Sequence, residues 1–266
     1  LKSYAPRLEN CYCKALAANG SCIRDCIIDT TNGWDINARL VDCQIIGCLG
    51  ATVQANNCTY KFDNSAYLSN AIIENSTIEA LSGTSIGMSF NNKTGYFEFS
   101  NVVFKHNTAL KHHNQFYSGI FEKCDFLDGV ETAITVDTTG DELITEDDHV
   151  KFIDCRFNNI GVQFGQFSPF AYSVGKALLT VENCEFNFTE STKQILLGYS
   201  QSNNGSKVIF KNCTFNNWHD NMYAYIGRGL NRDLDLTIVF ENCIGVREDL
   251  MLKEDNSAGK IKIVIK

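Results

Sequence analysis

The 266-residue chain has only two prolines, three methionines and two tryptophans, and no basic run longer than a residue or two. Two prolines alongside 19 glycines are too few for a collagenous or disordered chain. No apolar run approaches the roughly 20 residues that cross a bilayer as a helix. The start, Leu1-Lys-Ser-Tyr-Ala-Pro6, has no apolar stretch flanked by basic residues, so neither membrane insertion nor a retained signal peptide is expected. With a net charge of −8 and dispersed lysine and arginine, nucleic acid is not an expected partner, because phosphate binding needs clustered cations. The chain begins with Leu, not Met, and so reads as a processed or excised piece of a longer protein.

What is present is a core-forming supply of 30 aromatics and 12 cysteines, together with abundant asparagine. Asparagine is disfavoured inside helices and strands and tolerates the left-handed backbone, so its frequency implies many tight, regular bends.

A six-residue phrase recurs eleven times: apolar, any residue, Asn or Asp, usually Cys, any residue, apolar. Clear copies are Leu40-Val-Asp-Cys-Gln-Ile45, Phe152-Ile-Asp-Cys-Arg-Phe157, Val181-Glu-Asn-Cys-Glu-Phe186 and Phe210-Lys-Asn-Cys-Thr-Phe215. Successive copies are separated by 15 to 31 residues, with short intervals first and long ones after Phe104. A constant phrase with variable spacers is the signature of a solenoid, in which each turn sets the same side chains above those of the turn below. The spacers read as loops emerging from a fixed coil.

Parity explains the phrase. In Val208-Ile-Phe210 and Ile238-Val-Phe240, alternation puts two apolar side chains on one face of a strand. After the Asn or Asp the alternation resumes one residue out of step, as in Cys213-Thr-Phe215. In a straight strand that slip would turn the second half outward. A single left-handed residue at the Asn or Asp repairs it by turning a corner; ten of eleven copies have Asn or Asp there and Lys123 is the exception.

The expected fold is therefore all-β: one single-stranded parallel β-helix of about eleven coils filling residues 1–266. Compact coils occupy 1–80, coils with long side loops 81–245, and a C-terminal cap strand 246–266. At about 4.8 Å per coil, ten intervals make a rod roughly 48 Å long. Its interior should hold a Phe column (Phe104, Phe126, Phe157, Phe186, Phe215) and a Cys column (Cys124, Cys155, Cys184, Cys213, Cys243). The end strand Lys260-Ile-Lys-Ile-Val-Ile-Lys266 can close the rod, its lysines discouraging edge pairing.

From Leu8 to about Gly245, the Phe-x-Asn-Cys-x-Phe phrase resembles the pectate-lyase-like right-handed parallel β-helix superfamily, and most closely the β-helical segments of bacteriophage tail fibres, tailspikes and other virion appendages. The resemblance implies a right-handed coil with stacked corner asparagines and an aliphatic, aromatic or Cys interior. It does not specify an activity.

Nine of the twelve cysteines share one repeat position. In-register neighbours on parallel strands point the same way, poor geometry for a disulfide torsion near 90°. Buried free thiols are expected, in keeping with folding in a reducing cytoplasm. Cys13, Cys22 and Cys48 stand off the column; without a paired Cys-x2-Cys, zinc is not expected.

Candidate site residues cluster in Trp218-His-Asp-Asn-Met-Tyr-Ala-Tyr-Ile-Gly-Arg228 and just beyond it. Trp218, Tyr223, Tyr225 and Arg232 are candidates for binding a ligand, and Asp220, His219 and Arg228 for catalysis if there is any. Asp137, Asp141 and Glu142 lie in an acidic loop that offers oxygen ligands for Ca²⁺ or a carboxylate pair for a glycosidase, though a solvated charged loop is the simpler reading. No Gly-Asp-Asp, Gly-His-Gly or Arg-Ile-Lys phrase of the hydrolases on this fold occurs.

The expectation is a structural or receptor-binding rod of a phage or virion appendage that folds in the host cytoplasm and contacts a cell-surface polysaccharide or other virion proteins. A homotrimer is compatible with it, and no cofactor is expected. The alternatives are a polysaccharide lyase (with Ca²⁺) or glycoside hydrolase using a groove on the stacked loops, and an extracellular bacterial adhesin. An enzyme is the less favoured of these readings.

Overall fold

The computed structural model describes residues 2–3, 7–14, 17–30, 36–47, 53–62, 66–68, 71–80, 88–90, 96–105, 118–127, 132–136, 150–160, 166–172, 178–199, 206–226, 236–253 and 261–266. They form a parallel β-helix. A 13-stranded sheet collects the strands that precede each corner, and a 10-stranded sheet collects those that follow. Every registered pairing between named strands is parallel, as in Phe210 with Phe240 and Phe186 with Phe215.

The corner is the left-handed residue that parity requires. All eleven corner residues, Asn10, Asp25, Asp42, Asn57, Asn75, Asn101, Lys123, Asp154, Asn183, Asn212 and Asn242, have φ between 48° and 55°. Lys123 adopts it too, at φ 52°, because its neighbours above and below fix the path. The corner N–H donates one coil onward, to the carbonyl of the residue before the next corner, as in Asn183 to Lys211 at 2.9 Å and Asn212 to Glu241 at 2.8 Å; the last corner, Asn242, donates to Lys266 O beyond the final strand at 3.0 Å. Side chains stack as well, with the Asn212 amide donating to Asn183 Oδ1 at 3.2 Å and the Asn183 amide to Asp154 Oδ1 at 3.1 Å.

Aliphatic residues such as Ile23, Leu40 and Ile73 fill the first coils, and from Phe97 onward the core carries two aromatic columns beside one of sulfur. Phe104, Phe126, Phe157, Phe186 and Phe215 stack with ring centroids 4.7 to 4.9 Å apart and nearly parallel planes. A second column, absent from the sequence reading, runs on the other side of the corner: Phe99, Phe121 and Phe152 stack at 4.9 and 4.7 Å, and Phe210 lies 5.1 Å from Phe240. The rings cost little entropy per unit area buried and dominate the burial.

Among the described residues eleven cysteines are free thiols, eight of them buried. Cys155 donates to Phe121 O at 3.3 Å and Cys213 to Val181 O at 3.3 Å, so sulfur also ties neighbouring coils. Interaction with the Cys155 sulfur and burial raise the Cys124 thiol, interaction with the Cys213 sulfur and burial raise Cys243, and burial with interaction with both neighbouring sulfurs raises Cys184. At Cys155 burial raises the thiol but interaction with the Cys124 and Cys184 sulfurs lowers it overall, and at Cys213 interaction with the Cys184 and Cys243 sulfurs likewise lowers it. Off the column, Cys13 is buried in register with Ile28 and Cys22 is half-exposed; Cys48 lies outside the described residues.

The long spacers are more than loops. Thr132–Val136, Gln166–Tyr172, Gln194–Tyr199, Tyr223–Ile226 and Met251–Lys253 pair as a third parallel sheet of five strands. The last described strand, Ile261–Ile265, adds to the largest sheet beside Leu236–Glu241, with Lys262 and Lys266 exposed.

Candidate functional site

The junction between the second and third sheets is made by short turns that repeat from coil to coil. After Glu185–Phe188 the chain turns through Thr189–Thr192, closed by the Thr192 N–H on Thr189 O at 3.0 Å and by the Thr189 N–H on Thr192 Oγ1 at 3.2 Å. One coil on, Asn217 takes a left-handed φ of 61° and starts a matching turn, closed by the Met222 N–H on His219 O at 3.0 Å. A third turn follows through Glu248–Leu250, where the Leu250 N–H reaches Arg247 O at 3.1 Å.

Aromatic packing fixes these turns from beneath. Trp218 is 5% exposed, packs edge-on against Phe188 at 6.3 Å and tilted against Phe215 at 5.9 Å, and donates Nε1–H to Met222 O at 2.9 Å. Its ring is therefore a structural anchor and not a face presented to solvent. The Asn217 amide donates to Phe188 O at 3.4 Å and joins the first two turns.

Between them lies an open cleft of about 770 Å³ lined by Phe188, Thr189, Glu190, Asn217, His219, Asp220 and Asn221. Arg247 clamps one wall: its guanidinium bonds Asp220 Oδ1 at 2.9 Å, holds Asp249 at 2.8 and 2.9 Å, and reaches Trp218 O at 3.5 Å. Hydrogen bonds to Asp249 and then Asp220 hold the arginine above its ordinary range, and Arg247 holds the Asp249 carboxyl below the usual carboxylate range. The Asp220 side chain remains 86% exposed. His219 Nε2 is enclosed and has no hydrogen-bond partner among the described residues.

Of the residues singled out in the sequence, His219 and Asp220 line this cleft. Tyr223 follows the second turn and is 41% exposed. Tyr225 lies two residues further along the same strand, its side chain outside the described set. Arg228, Arg232, Asp137, Asp141 and Glu142 lie outside the described residues. Sequence reasoning did not single out Glu190, Asn217 or Arg247. The signal for Arg247 was its place one repeat beyond Trp218; for Asn217 it was a second asparagine outside the corner series. Among the described residues no group of three or more His, Cys, Asp and Glu is placed to hold a metal ion.

No protein-family model matches the chain, and neither a curated protein nor a solved structure matches it. The class is set by the fold itself, a parallel β-helix solenoid.

Proposed function

We propose that this chain is a rigid, non-catalytic β-helical rod that binds a cell-surface glycan as part of a phage tail fibre, tailspike or other virion appendage. The observation that carries the reading is the cleft at Phe188–Asn221: a polar concavity on stacked turns whose walls are held by Trp218 and by Arg247. Binding sites built on a rigid scaffold lose little entropy when the ligand arrives.

The composition of the cleft favours holding over cleaving. Carboxyl-pair hydrolysis needs one acid kept in an apolar pocket beside a second carboxylate. Asp220 is exposed and bridged by Arg247, so it is prepared for neither role. The free thiols fit a protein that folds in a reducing host cytoplasm before assembly. The resemblance of the Phe-x-Asn-Cys-x-Phe phrase to pectate-lyase-like β-helices supports the same class, and assembly as a homotrimer with other virion proteins belongs to this reading.

Retention of the fluorescently labelled chain on bacterial cells, before and after their surface polysaccharide is stripped, tests the proposal. Retention that disappears with the polysaccharide is expected. Equal retention on stripped cells, or none on any strain of a broad panel, would overturn it.

A further inference from the structure

Building on the glycan-binding reading, we infer that the cleft between the Thr189–Thr192 and His219–Met222 turns selects neutral, polyhydroxylated sugars and rejects uronate-bearing, sulfated or phosphorylated ones. Arg247, beside the cleft, is engaged by Asp220 and Asp249 together, so its one positive charge faces two negative ones. Glu190, exposed in the first turn, adds another carboxylate to the lining. An anionic ligand meets a lining in which Glu190 and Asp220 are carboxylates and no Lys or Arg is among the described lining residues, the exposed Lys193 standing just past the first turn outside it; such a wall suppresses the wrong partner.

An apolar ligand fits no better, because the one apolar side chain in the described lining, Phe188, is itself buried. A divalent cation lacks its ligand set, since no group of three or more suitable side chains converges among the described residues.

Hydroxyl groups fit what remains. A carboxamide both donates and accepts, and a carboxylate accepts from two hydroxyls at once. The amide of Asn217 is occupied with Phe188 O, which leaves its Oδ1 as an acceptor. Asn221 and Glu190 make no side-chain hydrogen bond to another described residue, although both are exposed lining residues. Tyr223, the residue after the second turn, is 41% exposed; its ring has an apolar face with a polar tip, suited to the C–H face of a sugar ring. The cleft volume of about 770 Å³ falls within the range of small-molecule sites, roughly 300–1,000 Å³.

Isothermal titration of the full chain with neutral oligosaccharides (gluco-, manno- and N-acetyllactosamine series) and with oligogalacturonate and alginate oligomers is the test. The neutral class is expected to contain a ligand bound at least about tenfold tighter than any uronate, a difference of roughly 1.4 kcal/mol. Asn221→Trp, which fills the cleft from an exposed turn, should abolish that binding with an unchanged circular dichroism spectrum. Glu190→Lys should bring uronate binding up by about tenfold, again roughly 1.4 kcal/mol. Tighter binding of uronates by the native chain overturns the inference, and so does neutral binding unaffected by Asn221→Trp. Cell retention that persists while neither sugar class binds overturns this inference alone; loss of all cell and glycan binding overturns the reading beneath it as well.

Discussion

Lys123→Asn is expected to stabilise the protein. Lys123 holds the corner at φ 52°, where an ordinary L-residue pays roughly 1–2 kcal/mol and asparagine pays less. The column it interrupts is otherwise a stack of carboxamides and carboxylates: Asn101 donates to Asn75 Oδ1 at 2.8 Å, and Asn183 to Asp154 Oδ1 at 3.1 Å. An asparagine at 123 relieves about half of the backbone cost, ~0.5–1 kcal/mol, and adds one exposed ladder bond at the low end of ~0.5–1.5 kcal/mol. Against this stands the lost ion pair of Lys123 Nζ with Glu122 Oε1 at 2.8 Å. That pair is solvent-exposed and screened, so its loss offsets little of the gain. The net is about 1 kcal/mol of stabilisation, a Tm rise of roughly 2–4 °C for a chain of this size. Differential scanning calorimetry at one scan rate, with Asn183→Lys as the reverse substitution, checks it. Asn183→Lys should lose about 1–2 kcal/mol, because it sacrifices ladder bonds as well as the backbone preference. A lower Tm for Lys123→Asn, or no change for Asn183→Lys, would refute the reasoning about the corner.

Other expectations follow from the columns. Phe157 is fully buried and stacked between Phe126 and Phe186, both at 4.7 Å, so Phe157→Ala should cost about 3–5 kcal/mol in urea denaturation; a loss under ~1 kcal/mol would mean the column is loosely packed. Among the eleven described cysteines, labelling of the native protein with a bulky maleimide should spare the eight buried ones and modify Cys11, Cys22 and Cys243 first, as judged by peptide mass spectrometry. Because the buried Cys124 and Cys184 thiols are raised in the folded state, their contribution is intact below the unfolded thiol pKa of about 8.5. It then falls as pH climbs, by up to about 1.4 kcal/mol per pH unit for each group while the folded thiol keeps its proton. Urea midpoints measured from pH 7 to 10.5 should therefore drop above pH ~8.5, and a flat profile would contradict burial of the column.

The repeat made the corners and one wall of the core readable in advance. A one-residue parity slip across Asn or Asp has only one economical geometric solution, and the Phe104 to Phe215 column follows once the turns are stacked. The third sheet was harder to see because its strands lie in spacers of unequal length and its register shifts between Phe167 and Phe170, which hides the period. Trp218 misleads for another reason. In a run as polar as Trp218-His-Asp-Asn it reads as an exposed aromatic, whereas the left-handed Asn217 before it turns the ring back onto Phe188 and Phe215. The role of Arg247 depends on which turn lies above which, and that becomes evident only when Arg247 and Trp218 are placed on neighbouring coils.

The central claim is a rod that binds saccharide without cleaving it. The most direct measurement incubates the full chain with a panel of acidic and neutral polysaccharides, with and without Ca²⁺. Bound protein, new reducing ends and the absorbance of unsaturated uronates are followed together. Retention on a polysaccharide with no product at any time is the predicted result. Product that accumulates with enzyme concentration and disappears on changing Asp220 would contradict it.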